Sequence, residues 1–193
     1  MNKEASENSI IGVKQVNLTL KLVLTALFAS LAIVLRLFKH AVIGPVQIVN
    51  LPAAICIIAA LILGAYAGLS VGVISMTVSD LILGFGLWTF VTASFLGLIG
   101  LVFGIMKELI NNKFQLFSMI LIALFANDVL TSAILYMVLG FNPPLAFATG
   151  IIGLFLPAGG GYMFAVGPVT EISTSLLVVL TKPIIKKAFV EVL

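Results

Sequence analysis

Charged side chains are scarce in this chain. They make up 9% of its 193 residues, whereas 62% of the residues are hydrophobic. A typical soluble domain carries roughly one quarter charged residues, so most of this surface must face lipid rather than water. The length allows about five to seven membrane spans of about 20 residues each and leaves no room for a sizeable soluble domain. The composition therefore predicts an all-α integral membrane protein.

Cysteine and the common catalytic motifs are also lacking. Cys56 is the single cysteine and lies in an apolar run, which excludes an intrachain disulfide, a CxxC redox pair and a thiolate metal cage. The sequence has no GxxxxGK[ST] phosphate-binding loop, no HExxH motif and no GxSxG motif. We therefore expect a non-catalytic protein without cofactor or metal. An intramembrane aspartyl pair formed by Asp80 and Asp128 is the remaining route to an enzyme.

The basic residues are distributed in a way that indicates topology. The formal net charge is +3, but we infer no nucleic-acid binding from it. With six spans, only Arg36 and Lys39 fall on the outer side, and by the positive-inside rule the other side and both termini are cytoplasmic. The basic residues predicted on the cytoplasmic side are Lys3, Lys14, Lys21, Lys107, Lys113, Lys182, Lys186 and Lys187.

Apolar runs separated by turn residues predict a bundle of six transmembrane helices. We expect a cytoplasmic N-terminal tail over residues 1–17, a six-helix membrane domain over 18–187 and a cytoplasmic C-terminal tail over 188–193. Residues 140–165, between helices 5 and 6, hold prolines and glycines around an apolar stretch that is too short to span. We interpret them as a long outer loop that is either re-entrant or lid-like. The predicted spans are residues 20–38, 46–63, 69–83, 88–106, 114–139 and 164–180.

Three carboxylates interrupt the apolar runs, namely Asp80 in span 3, Asp128 in span 5 and Glu171 in span 6. An acid near the centre of a span costs about 2.5–3.5 kcal/mol to insert, so each should face the bundle interior or a wet cavity. Polar neighbours share their helix faces, Thr131 with Asp128 and Thr174 with Glu171. This pattern favours a ligand cavity that opens to the outside. The predicted binding residues are Arg36, Gln47, Asn50, Asp80, Trp88, Asn127, Asp128, Tyr162 and Glu171.

Other interpretations of these residues stay open. Three acids cannot all pair with the single arginine Arg36, which favours a cationic or donor-rich ligand. The acids can instead satisfy one another or Arg36 as polar contacts between helices. They can also relay protons, which would make the chain a self-sufficient proton-coupled secondary transporter. Trp88 is equally typical of the aromatic belt at the membrane interface.

Several motifs resemble the substrate-binding S components of energy-coupling factor (ECF) transporters. The resemblance implies a subunit of the plasma membrane that captures a vitamin or cofactor precursor with high affinity. It also implies partners, namely a transmembrane coupling subunit and two cytoplasmic ATPases. The motifs are Asn50-Leu51-Pro52, Ile62-Leu63-Gly64-Ala65-Tyr66-Ala67-Gly68, Val71-Gly72, Ser79-Asp80-Leu81, Gly86-Leu87-Trp88-Thr89 and Gly97-Leu98-Ile99-Gly100.

The resemblance further implies a partner contact on span 1. Members of the family carry an Ala-x-x-x-Ala pattern there, and this chain has Ala26-x-x-x-Ser30 with Ala29 beside it. Serine is small enough to let helices approach closely. We therefore expect Ala26, Ala29 and Ser30 to contact the coupling subunit. Among the vitamin types of the family, the turn at Trp88 and the acid Asp80 look similar to cobalamin-type and queuosine-type members.

Overall fold

The computed structural model describes residues 18–43, 48–155 and 166–190, and no strand occurs among them. The all-helical fold predicted from composition is confirmed. A 3-10 turn, Lys107–Leu109, connects the fourth and fifth helices. The α-helices of the described residues are α1 (Leu18–Ile43), α2 (Leu51–Leu63), α3 (Ala65–Leu83), α4 (Leu87–Met106), α5 (Lys113–Val138), α6 (Pro143–Gly153) and α7 (Val166–Val190).

Five of these helices, α1, α3, α4, α5 and α7, are long and apolar enough to cross a membrane. Large hydrophobic side chains such as Leu27, Phe90 and Ile122 are exposed on their outer surfaces. Such a surface is stable in lipid, where helices satisfy their own backbone hydrogen bonds. The chain is therefore a multi-pass membrane protein.

The predicted second span is shorter than expected. Helix α2 begins only at Leu51, because the Asn50 side chain caps it by accepting a hydrogen bond from the backbone N–H of Ala53 (3.1 Å) and Pro52 occupies the first turn. Its 13 residues extend for about 20 Å, less than the roughly 30 Å of a hydrocarbon core. Almost all of them are buried by α1, α3, α4 and α7. Of the six spans that the sequence predicts, five thus correspond to long apolar helices. The second corresponds to a short helix that is covered by protein.

Glycine sets the distance between α3 and α4. A Cβ atom on Gly68 would lie 2.6 Å from the carbonyl oxygen of Gly100 and 2.5 Å from the Cβ of Ala60 on α2. The thiol of Cys56, also on α2, donates a hydrogen bond to the carbonyl of Gly68 (3.2 Å). The three helices therefore pack backbone against backbone, as small residues allow in membrane proteins.

The helices alternate in direction, apart from α6, and most of the described lysines lie at one end of the bundle, whereas Lys39 lies near the other. We call the end that carries Lys21, Lys107, Lys113 and Lys182 the basic end, and the opposite end the loop end. A Cβ atom on Gly64, between α2 and α3, would lie 3.7 Å from Nζ of Lys21 near the start of α1. Lys113 and Lys182 line one groove between the start of α5 and the last part of α7.

Helix α6 occupies part of the segment that the sequence predicts as a long loop. It begins where the side chain of Asn142 accepts a backbone hydrogen bond and two prolines form the first turn. It packs on α5 through Ala146 and Gly150, and a Cβ atom on Gly150 would lie 3.0 Å from the carbonyl oxygen of Val129. Residues 156–165 lie outside the described residues. The predicted short apolar stretch is thus a helix that lies against α5.

Candidate functional site

An ion pair joins α1 to α3 in the half of the bundle nearer the loop end. Nη2 of Arg36 lies 2.7 Å from Oδ1 of Asp80, and the Arg36 side chain is only 21% exposed. The same guanidinium donates hydrogen bonds to the hydroxyl of Ser79 and to the carbonyl of Met76 (3.3 Å). The second carboxylate oxygen of Asp80 has no hydrogen-bond partner among the described residues. This geometry matches the interpretation of Arg36 and Asp80 as a polar contact between helices.

A cavity of about 70 Å³ lies beside the ion pair, lined in part by Arg36, Lys39 and Asn50. Pockets for drug-sized ligands occupy roughly 300–1,000 Å³, so this cavity has room for a few water molecules rather than a vitamin. The backbone N–H of Asn50 also donates to the hydroxyl of Thr174 on α7 (2.8 Å). Asn50 therefore connects the start of α2 to α7 near the loop end.

A second group of polar side chains lies between α5 and α7. The carboxyl groups of Asp128 and Glu171 lie close enough to interact with each other. The side-chain amide of Asn127 donates to Oδ1 of Asp128 (2.8 Å). Glu171 is completely buried, with 1% of its surface exposed. We call Asn127, Asp128, Thr131 and Glu171 the acid cluster.

The acid cluster contains unsatisfied hydrogen-bond acceptors. Within the described part of the chain, Oδ1 of Asn127, Oγ1 of Thr131 and Oε1 of Glu171 are buried without a partner. Asn127 and Thr131 are four residues apart and share one face of α5. An unsatisfied buried polar atom costs about 1–3 kcal/mol. The acid cluster is therefore suited to accept hydrogen bonds from a ligand that is rich in donors.

Helix α6 packs on α5, and the residue that follows its end contacts the start of α7. It packs on α5 beside Val129 and Ser132, directly next to the cluster in sequence. Leu154, directly after the end of α6, reaches the start of α7, where a Cβ atom on Gly167 would lie 2.8 Å from its carbonyl oxygen. The segment interpreted as re-entrant or lid-like thus holds a helix that packs on α5 and ends at a contact with α7.

The remaining predicted binding residues are placed differently. Trp88 lies in the first turn of α4 at the loop end, about half exposed, with its ring packed against Gly86. This position suits an aromatic side chain at the membrane interface as well as a ligand contact. Gln47 and Tyr162 lie outside the described residues.

The predicted partner contact on α1 is divided between two faces. Ala26 and Ser30 are exposed, whereas Ala29 is buried in the core with 3% of its surface accessible. In this structure only Ala26 and Ser30 are accessible to a partner.

Two residues of these polar groups are missing from the predicted binding set. Thr131 contributes an unsatisfied oxygen to the acid cluster, and its spacing from Asp128 was the available signal. Ser79 accepts a hydrogen bond from Arg36, and its hydroxyl also donates to the carbonyl of Ser75 (2.5 Å). The sequence offers only the position of Ser79 next to Asp80 as a signal.

The fold defines a multi-pass helical membrane protein with a buried polar cluster between two of its spans. A family model described as "ECF-type riboflavin transporter, S component" matches residues 16–161. The match covers more than half of the chain, which therefore belongs to this family of transporter S components. No curated protein and no solved structure matched the chain significantly.

The family match confirms the resemblance to ECF S components that the sequence motifs indicate. The matched type is the riboflavin transporter, not the cobalamin or queuosine type that the turn at Trp88 and Asp80 suggest. S components are transporter subunits and not enzymes, so an intramembrane aspartyl enzyme formed by Asp80 and Asp128 is not supported.

Proposed function

We propose that this chain captures riboflavin, or a closely related flavin, for uptake across the plasma membrane. The observation that carries the proposal is the match of residues 16–161 to the riboflavin transporter S component. The acid cluster supports it, because riboflavin has a polyhydroxylated side chain and a ring N–H that can donate hydrogen bonds to buried acceptors. A neutral, donor-rich ligand satisfies these oxygens without leaving a new charge unpaired.

The acid cluster is the proposed centre of the binding site. Asn127, Thr131 and Glu171 accept hydrogen bonds from the ligand, and Asp128 positions the amide of Asn127 and the carboxyl of Glu171. Residues at the loop end of the bundle form the outer boundary of the site. Helix α6 covers the space between α5 and α7. The other residues proposed to line the site or its entrance are Arg36, Gln47, Asn50, Asp80, Trp88 and Tyr162.

We also propose that the chain crosses the membrane six times with both termini in the cytoplasm. The alternating helix directions and the concentration of lysines at the basic end support this topology. Helix α2 can cross with only 13 residues because protein rather than lipid surrounds it. The membrane domain comprises residues 18–187, between the tails 1–17 and 188–193, and α7 continues as a helix to Val190.

The energy for uptake comes, in this proposal, from a transmembrane coupling subunit and two cytoplasmic ATPases. Membership of the S-component family supports such partners, and the sequence has no phosphate-binding loop of its own. The exposed small residues Ala26 and Ser30 on α1 are the proposed contact, since small side chains permit close approach of a second helix.

Binding can be tested with the detergent-purified protein by flavin fluorescence quenching and native mass spectrometry. We expect one flavin per chain. Glu171→Gln and Asp128→Asn should each weaken binding about two- to tenfold, because each change replaces an oxygen of the acid cluster with an NH₂ group and a lost hydrogen bond costs about 0.5–1.5 kcal/mol. Glu108→Gln is the matched control, since this carboxylate is 85% exposed at the basic end.

Two results would contradict the proposal. Retention of a different vitamin, with no affinity for flavins, would replace the ligand while keeping the capture function. Wild-type affinity in both Glu171→Gln and Asp128→Asn would show that the ligand binds outside the acid cluster.

A further inference from the structure

A groove of about 230 Å³ opens at the basic end of the bundle, between the start of α5 and the last part of α7. Its polar lining comes from Asn111, Asn112, Lys113 and Lys182. It lies at the end of the molecule opposite to Asn50 and Trp88, and none of its lining residues belongs to the acid cluster. The proposed capture of a flavin therefore does not account for this groove.

The groove attracts anions. Its two charged lining residues, Lys113 and Lys182, are both cations, and no carboxylate lines it among the described residues. The exposed acid Glu108 lies 3.7 Å from Lys107, and neither residue lines the groove. The side-chain oxygen of Asn112 caps α5 by accepting a backbone hydrogen bond (2.7 Å), which leaves its NH₂ group as the donor for a ligand. The positive end of the α5 dipole adds to the attraction.

The groove lies where two spans reach the membrane surface. The apolar span of α5 begins at Lys113, and that of α7 ends at Ile185. Leu116 and Val179, both buried, line the groove on its inner side. Phe114 is 80% exposed directly after Lys113, on a surface suited to acyl chains. An anionic head group with an apolar tail therefore fits both the lining and the position.

We propose that this groove binds the phosphodiester head group of an anionic phospholipid such as phosphatidylglycerol. The groove is smaller than the roughly 300 Å³ at which pockets for drug-sized ligands begin, so a head group fits it better than a whole ligand of that size. Basic pockets at the cytoplasmic ends of spans are suited to anionic head groups. Lys113 and Lys182 bind the phosphate from two different helices. Asn111 and Asn112 donate hydrogen bonds to its ester and glycerol oxygens.

Native mass spectrometry with added phosphatidylglycerol or phosphatidylcholine tests the proposal. We expect one tightly retained phosphatidylglycerol per chain and a preference for it of roughly thirtyfold, since each lysine near the membrane surface contributes roughly fivefold. The double variant Lys113→Gln/Lys182→Gln should lose this preference, and Lys113→Arg/Lys182→Arg should keep it. Lys107→Gln/Lys187→Gln is the matched control, because it removes two charges from the basic end but none from the groove.

Several results would overturn the proposal. One is equal retention of the two lipids by the wild type, and another is an unchanged preference in the Lys113→Gln/Lys182→Gln variant. Displacement of the lipid by excess inorganic phosphate would assign the groove to a soluble anion. Loss of association with the energising subunits, without loss of lipid preference, would assign it to a protein partner. If the double variant is unstable, the single variants Lys113→Gln and Lys182→Gln are measured instead. Each should lose roughly fivefold of the preference for phosphatidylglycerol, and no loss in either one contradicts the proposal.

Discussion

Asp80 and Glu171 are both buried acids in the membrane interior, but their surroundings differ. Asp80 has a cation at 2.7 Å, the guanidinium of Arg36. Glu171 instead faces a second carboxyl group, that of Asp128. The charge of Asp80 is thus balanced within the protein, whereas no cation is recorded beside Glu171 in the described residues, although each acid keeps one buried oxygen without a hydrogen-bond partner there. This difference in charge is why we propose the acid cluster, rather than the ion pair, as the centre of the binding site.

Removal of one partner of the ion pair should destabilise the protein. Asp80→Asn leaves the largely buried guanidinium of Arg36 without its counter-charge, which costs about 3 kcal/mol or more. The double variant Arg36→Met/Asp80→Leu should recover most of this loss, because apolar pairs often replace buried ion pairs at little cost. Thermal unfolding in detergent measures both.

The ligand affinity of the same variants decides whether the ion pair belongs to the binding site. If Arg36→Met/Asp80→Leu folds and binds flavin as the wild type does, the pair only joins helices. If it folds and loses affinity, Arg36 or Asp80 contacts the ligand. A wild-type unfolding temperature in Asp80→Asn would contradict the expected role in stability.

The sequence predicts the candidate site only in part. Asp128 and Glu171 stand out because carboxylates in apolar runs are costly and rare. Their pairing is not predictable from one sequence, since it depends on which helices become neighbours in the bundle. Ser79 is hidden for a different reason. A serine in a helix ordinarily bonds a carbonyl one turn earlier, so a second role with Arg36 has no sequence signal.

At the scale of elements, three helices begin at an asparagine. Asn50, Asn112 and Asn142 each accept a hydrogen bond from the backbone N–H three residues later, at the starts of α2, α5 and α6. Hydropathy alone extends span 2 back to residue 46, because it does not register the cap at Asn50. The same reasoning explains α6, where an asparagine followed by two prolines marks a helix start inside a segment predicted as loop.

The close packing of α3 against α4 makes Gly100 sensitive to a single methyl group. A Cβ atom there would overlap the backbone of Gly68 and lie 2.7 Å from the sulfur of Cys56. Gly100→Ala should therefore destabilise the protein by about 1–3 kcal/mol. Gly153→Ala is the matched control, because nothing lies within 4 Å of its added Cβ atom. Unfolding temperatures in detergent compare the two, and equal values would show that α3 and α4 can separate at little cost.

At the scale of the whole molecule, capture and transport should be separable. Reconstituted alone in liposomes, the chain should bind flavin without accumulating it, with or without a proton gradient. Addition of the coupling subunit, the two ATPases and ATP should produce uptake. Accumulation that is driven by a proton gradient in the protein alone would favour the secondary transporter, in which the acid cluster relays protons.

A large side chain on the exposed face of α1 should separate the same two functions within one variant. Ser30→Trp should prevent close approach of a partner helix and abolish ATP-dependent uptake, while flavin affinity stays at the wild-type value. Ile122→Trp, on the exposed surface of α5, is the control for a bulky lipid-facing substitution. If Ser30→Trp supports full uptake, the coupling subunit binds elsewhere.

The short helix α2 also constrains how the protein enters the membrane during synthesis. Almost all of its 13 residues are buried by neighbours, and three of these neighbours, α3, α4 and α7, are made after it. A helix too short for the hydrocarbon core cannot rest there on its own. We expect α2 to be held near the insertion machinery until α3 follows, joined to it by Gly64 alone. The two helices then enter the bilayer together as one hairpin, although α2 is made first.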